Sequence, residues 1–275
     1  MDINVTPEGI FISQDDYTEA MTETPIDKLD DPERPLTIDE YKQYRKIIGQ
    51  LIWLNEQSRP DLSFDTLTMS FYNKSAKIKN MHEANKMVKK AKSKTSSVKF
   101  SHIGRFDKLK ILAYFDASHL TFEERSKGVC GKILFLSNKE ESIVSPIYWK
   151  SKSIAQACTS AKAAETRSAY SCCDDAIGLA RAINEIYTGK RGNAQIEVTM
   201  KCDSKSLQET LNSSKQIEEK LLRPTILAIK QMISRKQIGR FYWVESMLCH
   251  ADALTKKGAK TSDGLLEIIK SGFNH

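Results

Sequence analysis

Apolar positions recur at helical spacing early in the chain. Tyr41, Tyr44, Ile48, Leu51 and Ile52 fall on one helix face. Thr37 precedes them as an N-cap, and Glu40 three residues on completes a capping box. Arg59-Pro60-Asp61 breaks this helix. Two more helices are predicted, over about 62–75 (carrying Leu62, Leu67, Phe71 and Tyr72) and about 81–94. Upstream, Gly9-Ile10-Phe11-Ile12-Ser13-Gln14 reads as a short strand and Tyr17 begins a helical turn. The acidic, proline-punctuated stretch 23–35 reads as a loop or linker.

From residue 105 the texture changes. Runs over 110–116, 128–136 and 143–150 read as strands joined by polar turns, which favours an antiparallel meander. Ser160 caps a long predicted helix to about 187, with Ala169, Cys172, Ala176, Leu179, Ala180 and Ile183 as its apolar face. A period-two strand follows over 196–202, then a short helix from Ser204, a longer one over about 218–235, a strand over 241–244 and a helix near 251–256. This order predicts an α/β fold with a mixed sheet, preceded by a mostly helical segment. The division is expected as 1–104 and 105–275.

Composition narrows the picture. No apolar run approaches the roughly 18–20 residues that span a bilayer, so no membrane partner is expected. The N-terminal residues Met1-Asp2-Ile3-Asn4 lack the pattern of a signal peptide, which predicts an intracellular protein or one cut from a longer chain. The cysteines Cys130, Cys158, Cys172, Cys173, Cys202 and Cys249 form no C-x-x-C pair and read as reduced thiols. The net charge of +7 is compatible with a nucleic-acid partner. Lys86, Lys89, Lys90, Lys92, Lys94 and Lys99 cluster where no acid lies between Glu83 and Asp107. They form either a solvated helix face or a phosphate-tracking surface.

Four acids carry the candidate chemistry. Asp116 and Asp203 are expected at strand ends, Glu165 in the first turns of the long helix, and Asp252 near the start of a helix after the last strand. If the two strands are neighbours, these carboxylates converge, and they repel one another unless cations neutralise them. Oxygen ligands of this kind suit Mg²⁺, or Mn²⁺ in its place. Two such ions form a clamp for in-line phosphoryl displacement. Taken singly, each acid also serves as a turn or cap residue.

The order of short motifs resembles the C-terminal part of copia-type LTR retrotransposon Pol polyproteins: a reverse transcriptase tail followed by a ribonuclease H domain. Gly9–Gln14 with Tyr17, Tyr44-Arg45 with Ile48-Gly49 and Leu51, Arg59-Pro60-Asp61-Leu62, and His82-Glu83-Ala84 resemble segments of the transcriptase tail. Asp116-Ala117-Ser118, Arg125-Ser126-Lys127-Gly128, Trp149-Lys150-Ser151-Lys152, Cys202-Asp203-Ser204 and Ala251-Asp252-Ala253-Leu254-Thr255-Lys256 resemble segments of the ribonuclease H domain. The resemblance implies a five-stranded mixed sheet flanked by helices. It also implies Asp116, Glu165, Asp203 and Asp252 as the catalytic, metal-binding set, with Asp116 bridging two ions. The implied substrate is the RNA strand of an RNA–DNA hybrid, with Ser118, Ser204, Lys150 and Lys152 as contacts; the helix lysines Lys86, Lys89 and Lys90 are further candidate contacts on their charge pattern alone. The rest of a Pol polyprotein or reverse transcriptase is the implied partner. The implied location is the cytoplasm, including virus-like particles, or the nucleus.

Some positions depart from the family pattern. His119-Leu120 stands where Trp-Ala is common, Glu165 stands alone in Ala163-Ala164-Glu165-Thr166 where the family has two acids, and Ser204 replaces an Asn. The polymerase Tyr-x-Asp-Asp hairpin does not occur, and Cys172-Cys173-Asp174-Asp175 lies mid-helix. Polymerisation by this chain alone is therefore not expected. A degenerate or domesticated fragment that binds nucleic acid without cutting is the alternative. A scaffold active only beside further domains is another.

Overall fold

A computed structural model describes the chain except for residues 28, 95, 123–124, 156–157, 159, 193–195, 214–218, 259–260 and 275, and the side chains of 119–127. The chain forms two compact units, Met1–Val98 and Lys99–His275.

The first unit opens with an antiparallel hairpin of β1 (Asp2–Thr6) and β2 (Gly9–Ser13), followed by α1 (Asp15–Glu19). α2 (Ile38–Gln57) starts at the expected capping box: Glu40 N–H donates to Thr37 Oγ1 (3.3 Å), and Thr37 N–H donates to Glu40 Oε2 (2.7 Å). The helix buries Tyr44, Ile47, Ile48, Leu51 and Leu54 against Met81, Ala84, Val88 and Ala91. Those four belong to α4 (Ile78–Ser93), which starts earlier than the sequence pattern suggests.

The helix break at Arg59 has a structural use. Pro60–Leu62 forms a 3-10 helix leading into α3 (Ser63–Ser70). The buried Arg59 guanidinium forks onto Asp61 at 2.8 and 2.9 Å and donates to the carbonyls of Ala91 (2.9 Å) and Lys94 (2.6 Å). Both charges are paired and hydrogen-bonded, the condition under which a buried ion pair is tolerated. A short strand, β3 (Val98–Phe100), leads into the second unit.

The second unit is built on a sheet of β4 (Lys110–Phe122), β5 (Arg125–Ser137), β6 (Val144–Ser153), β7 (Glu197–Cys202) and β8 (Phe241–Trp243), in the order β6-β5-β4-β7-β8. The first three strands form the expected antiparallel meander; β7 pairs parallel to β4, and β8 parallel to β7. The fold is α/β: a mixed five-stranded sheet with helices. Among the described residues, four α-helices accompany it: α5 (Ala161–Thr188), α6 (Lys205–Asn212), α7 (Arg223–Ser234) and α8 (Thr261–Ser271).

α5 follows from its sequence. Ser160 Oγ accepts from Ala163 N–H (3.1 Å), and Gly189 ends the helix in the left-handed region at φ 67°. Ala163, Ala169, Cys172, Cys173, Ala176 and Ala180 form its buried face, and such small side chains allow close approach to the sheet. There they meet Ile111, Ala113, Phe115, Leu134, Val198 and Met200 in one apolar core. All six cysteines are buried thiols. Among the described residues no helix is long and apolar enough to cross a membrane.

Three expectations are corrected. β4 does not end at Asp116: it runs on to Phe122 because its ladder with β5 continues past the apolar run, pairing Asp116 with Gly131. The segment carrying Asp252 is a 3-10 helix, His250–Leu254, rather than an α-helix. The helix expected over 218–235 spans Arg223–Ser234, and part of the predicted start lies outside the described residues.

Candidate active site

Neighbouring strands bring the carboxylates together. β4 and β7 pair in parallel from Lys110↔Glu197 to Tyr114↔Lys201, so both chains advance toward the same end of the sheet. Asp116 lies two residues beyond that register on β4, and Asp203 immediately follows β7. The 3-10 helix carrying Asp252 packs on β4 and β5. Its approach depends on Gly131: a Cβ there would stand 2.6 Å from Thr255 Cγ2, 2.7 Å from Leu254 Cβ and 2.9 Å from the Ala251 carbonyl. Ser118 Oγ donates to the Thr255 carbonyl (2.8 Å) and Ser151 Oγ to the Leu254 carbonyl (2.6 Å), which pins the segment to the sheet.

Carboxylate oxygens of Asp116, Asp203 and Asp252 thus lie within 4.8 Å of one another. Asp116 and Asp252 are buried, and Asp203 is half-buried. Glu165 does not join this trio. It adjoins it through Ser204, whose hydroxyl donates to Glu165 Oε2 at 2.5 Å.

Burial pushes the Asp116 carboxyl up to about 7. The charges of Asp203 and Asp252 act in the same direction, while the Thr255 hydroxyl and the Lys256 ammonium oppose them. Burial also raises Glu165, against the Ser204 hydrogen bond and with the charge of Asp203. Burial works against the Lys256 ammonium, but Asp252 and Asp116 hold its pKa above the ordinary lysine value.

The donor set is all oxygen, concentrated and mutually repulsive. It fits a hard divalent ion such as Mg²⁺ or Mn²⁺. Asp116, Asp203 and Asp252 are the residues placed to hold such an ion, with Glu165 beside them.

Several residues of the site have no role in the sequence reading. Thr255, fully buried, donates its hydroxyl to Asp116 Oδ2. Lys256 pairs with Asp252 Oδ1 and lies 3.6 Å from Asp116 Oδ2. Ser246 donates to Asp203 Oδ2 (3.0 Å), and the Trp243 indole N–H donates to the Asp203 carbonyl (3.0 Å). The signal for Lys256 was present, because residues four apart face each other on a helical turn. The other contacts join distant segments.

The expected substrate contacts divide. Ser118 and Ser204 adjoin the carboxylates, though both hydroxyls donate within the protein. Lys150 and Lys152 stand opposite Lys132 and Cys130, whereas Ser151 between them stands opposite Gly131. Strand alternation therefore puts both lysines on the other face of the sheet from the Asp116 carboxylate. Lys132 on that face is buried and donates to Ser171 Oγ of α5 at 2.7 Å. Lys86, Lys89 and Lys90 lie on α4 of the first unit, paired with Glu83 (2.7 Å), Glu23 (3.2 Å) and Asp65 (3.2 Å). His250 packs in the core, its ring centroid 4.6 Å from that of Tyr114, and burial lowers its pKa to about 4.

No family model matches the sequence, and no curated protein matches it. Several solved structures do. The N-terminal RNase H domain of rv2228c from Mycobacterium tuberculosis is 15% identical, with a TM-score of 0.40, covering 58% of this chain and 96% of that one. RNase H1 from Halobacterium salinarum NRC-1 is 16% identical, with a TM-score of 0.38, covering 53% and 93%. LC11-RNase H1, solved with an RNA/DNA hybrid, is 16% identical, with a TM-score of 0.39, covering 53% and 93%. All three scores fall below 0.5, so the functional reading rests on the carboxylates themselves.

Proposed function

We propose that the chain hydrolyses the RNA strand of RNA–DNA hybrids with two divalent ions, leaving a 3′-OH and a 5′-phosphate. The observation that carries this reading is the convergence of Asp116, Asp203 and Asp252. Bound Mg²⁺ or Mn²⁺ would activate the attacking water and stabilise the leaving oxygen. Asp116, Asp203 and Asp252 would hold the ions, with Glu165 beside them through Ser204. Thr255 and Ser246 would fix the Asp116 and Asp203 carboxylates before substrate arrives, as outer hydrogen-bond partners do around metal sites. Recognition of the 2′-OH would separate RNA from DNA. Residues 1–104 are read as a reverse transcriptase remnant that helps hold the hybrid, and the rest of a Pol polyprotein as the partner.

A second reading, hybrid binding without cleavage, draws on the ammonium of Lys256 already seated against two of the acids. Cleavage of a labelled hybrid with Mg²⁺ or Mn²⁺ separates the two. Metal-dependent cutting that falls by about 10²-fold or more in Asp116→Asn supports the nuclease. Salt-dependent binding by a folded chain that cuts nothing supports the second reading.

A further inference from the structure

The carboxylates do not share their neighbours evenly. Asp203 takes the Ser246 hydroxyl and Glu165 takes the Ser204 hydroxyl. Asp116 and Asp252 take the Lys256 ammonium, which pairs with Asp252 Oδ1 and lies 3.6 Å from Asp116 Oδ2. Asp203 and Glu165 thus accept from serine hydroxyls, whereas a lysine ammonium is seated directly against Asp252 and beside Asp116.

Lys256 is also built to leave. Its backbone is fixed: its N–H donates to the Asp252 carbonyl at 3.1 Å, and the preceding Thr255 is fully buried and bonded to Asp116. Its side chain is 45% exposed. A four-carbon stem rooted on a fixed backbone and open to solvent can swing its charge away without disturbing the fold. A single charge neutralises two carboxylates only in part, so a divalent ion gains more at the same place.

Resting on the two-ion reading of the site, we propose that the Lys256 ammonium is the chain's own stand-in for the cation held between Asp116 and Asp252. The two metal positions are then unequal. The one that Asp203 would hold beside Asp116 fills first, and the one that Asp116 and Asp252 would hold fills only as Lys256 withdraws. Lys256 holds the buried acids together while the site is empty of metal and sets the concentration at which the second ion enters.

The test is calorimetric titration of Mn²⁺ into the chelator-stripped full chain, with no substrate present. Wild type is expected to show one tight and one weak class of site. Lys256→Met should tighten the weak class about tenfold or more and leave the tight class unchanged. Lys256→Arg, which keeps the charge, should resemble wild type. Adding Asp252→Asn to Lys256→Met should abolish the tightened class. Near-UV circular dichroism checks folding, and Lys256→Gln replaces Lys256→Met if the latter does not fold. A weak class that is unchanged or weakened in a folded Lys256 variant overturns the proposal while leaving the nuclease reading intact. A folded wild type and a folded Lys256 variant that both bind no Mn²⁺ overturn the two-ion reading itself, and the role of Lys256 with it.

Discussion

Asp116 is held at a cost while the site is without metal. Its carboxyl titrates near 7 in the folded chain because burial and the neighbouring Asp203 and Asp252 disfavour its charge, whereas in the unfolded chain it titrates near 3.8. The folded state therefore binds the proton more tightly. Stability from this group is fully present below about 3.8 and is lost as the pH rises through about 7. His250 has the opposite sign: its folded value near 4 lies below the ordinary 6.5, so its contribution is lost as the pH falls through that range. Comparing two proteins that share His250 isolates the carboxylate. In chelator, the melting temperature of wild type relative to Asp116→Asn should fall between pH 5 and pH 8. Mn²⁺ at pH 8 should raise the wild-type value and leave Asp116→Asn nearly unmoved, because only a folded, charged site binds the ion. Parallel pH curves for the two proteins in chelator would show that burial does not strain this carboxylate.

The 3-10 helix from His250 to Leu254 depends on one residue of the opposing strand. Gly131 pairs with Asp116 across the β4–β5 ladder and leaves no room for a Cβ beneath Leu254 and Thr255. Two of its near neighbours are side-chain carbons and the third is the Ala251 carbonyl, so part of the strain falls on backbone. Gly131→Ala is expected to destabilise the second unit by about 1–3 kcal/mol, the usual range for overpacking. It should also weaken Mn²⁺ binding by lifting Asp252 and Lys256 away from Asp116. Thermal melts with and without Mn²⁺ read both effects. Elements of this kind were only partly legible in the sequence. Alternation and apolar runs marked the five strands of the second unit, and Ser160 marked the start of α5, because burial on one face leaves a periodic trace. The end of β4 left none, since backbone pairing to Phe122 needs no apolar side chains. β1, Asp2-Ile3-Asn4-Val5-Thr6, alternates in type but is almost wholly exposed, so its alternation marks no buried face. α8 was missed although Leu265, Leu266, Ile268 and Ile269 are buried at helical spacing. The convergence of Asp116, Asp203 and Asp252 was legible from strand and motif order. The hydroxyls of Thr255 and Ser246 were not, because what they hold is decided by how distant segments meet.

Each unit carries its own apolar core, one drawn from residues between Met21 and Ala91 and the other from residues between Phe106 and Phe241. Work can therefore be divided between them, with the carboxylates on the second and a cluster of lysines on the first. Lys86, Lys89 and Lys90 each pair with an acid, but the lysine side chains stay 70%, 67% and 40% exposed. Pairs this exposed hold their partners by only about 0–1 kcal/mol and are screened by salt. A phosphate backbone can outcompete them, since each charge neutralised on a duplex also releases counterions. If these lysines track the hybrid, the plot of log affinity against log salt should become shallower in the Lys86→Ala, Lys89→Ala, Lys90→Ala triple variant. The expected change in slope is roughly 2–3, at about 0.9 for each phosphate that a lysine no longer neutralises. Binding titrations across a range of salt, done in chelator so that no strand is cut, measure it. An unchanged slope would make the cluster a solvated helix face. Because the variants leave the second unit untouched, Mn²⁺ uptake at Asp116, Asp203 and Asp252 should be the same in both proteins, which separates a weaker grip on substrate from a failure of the chemistry.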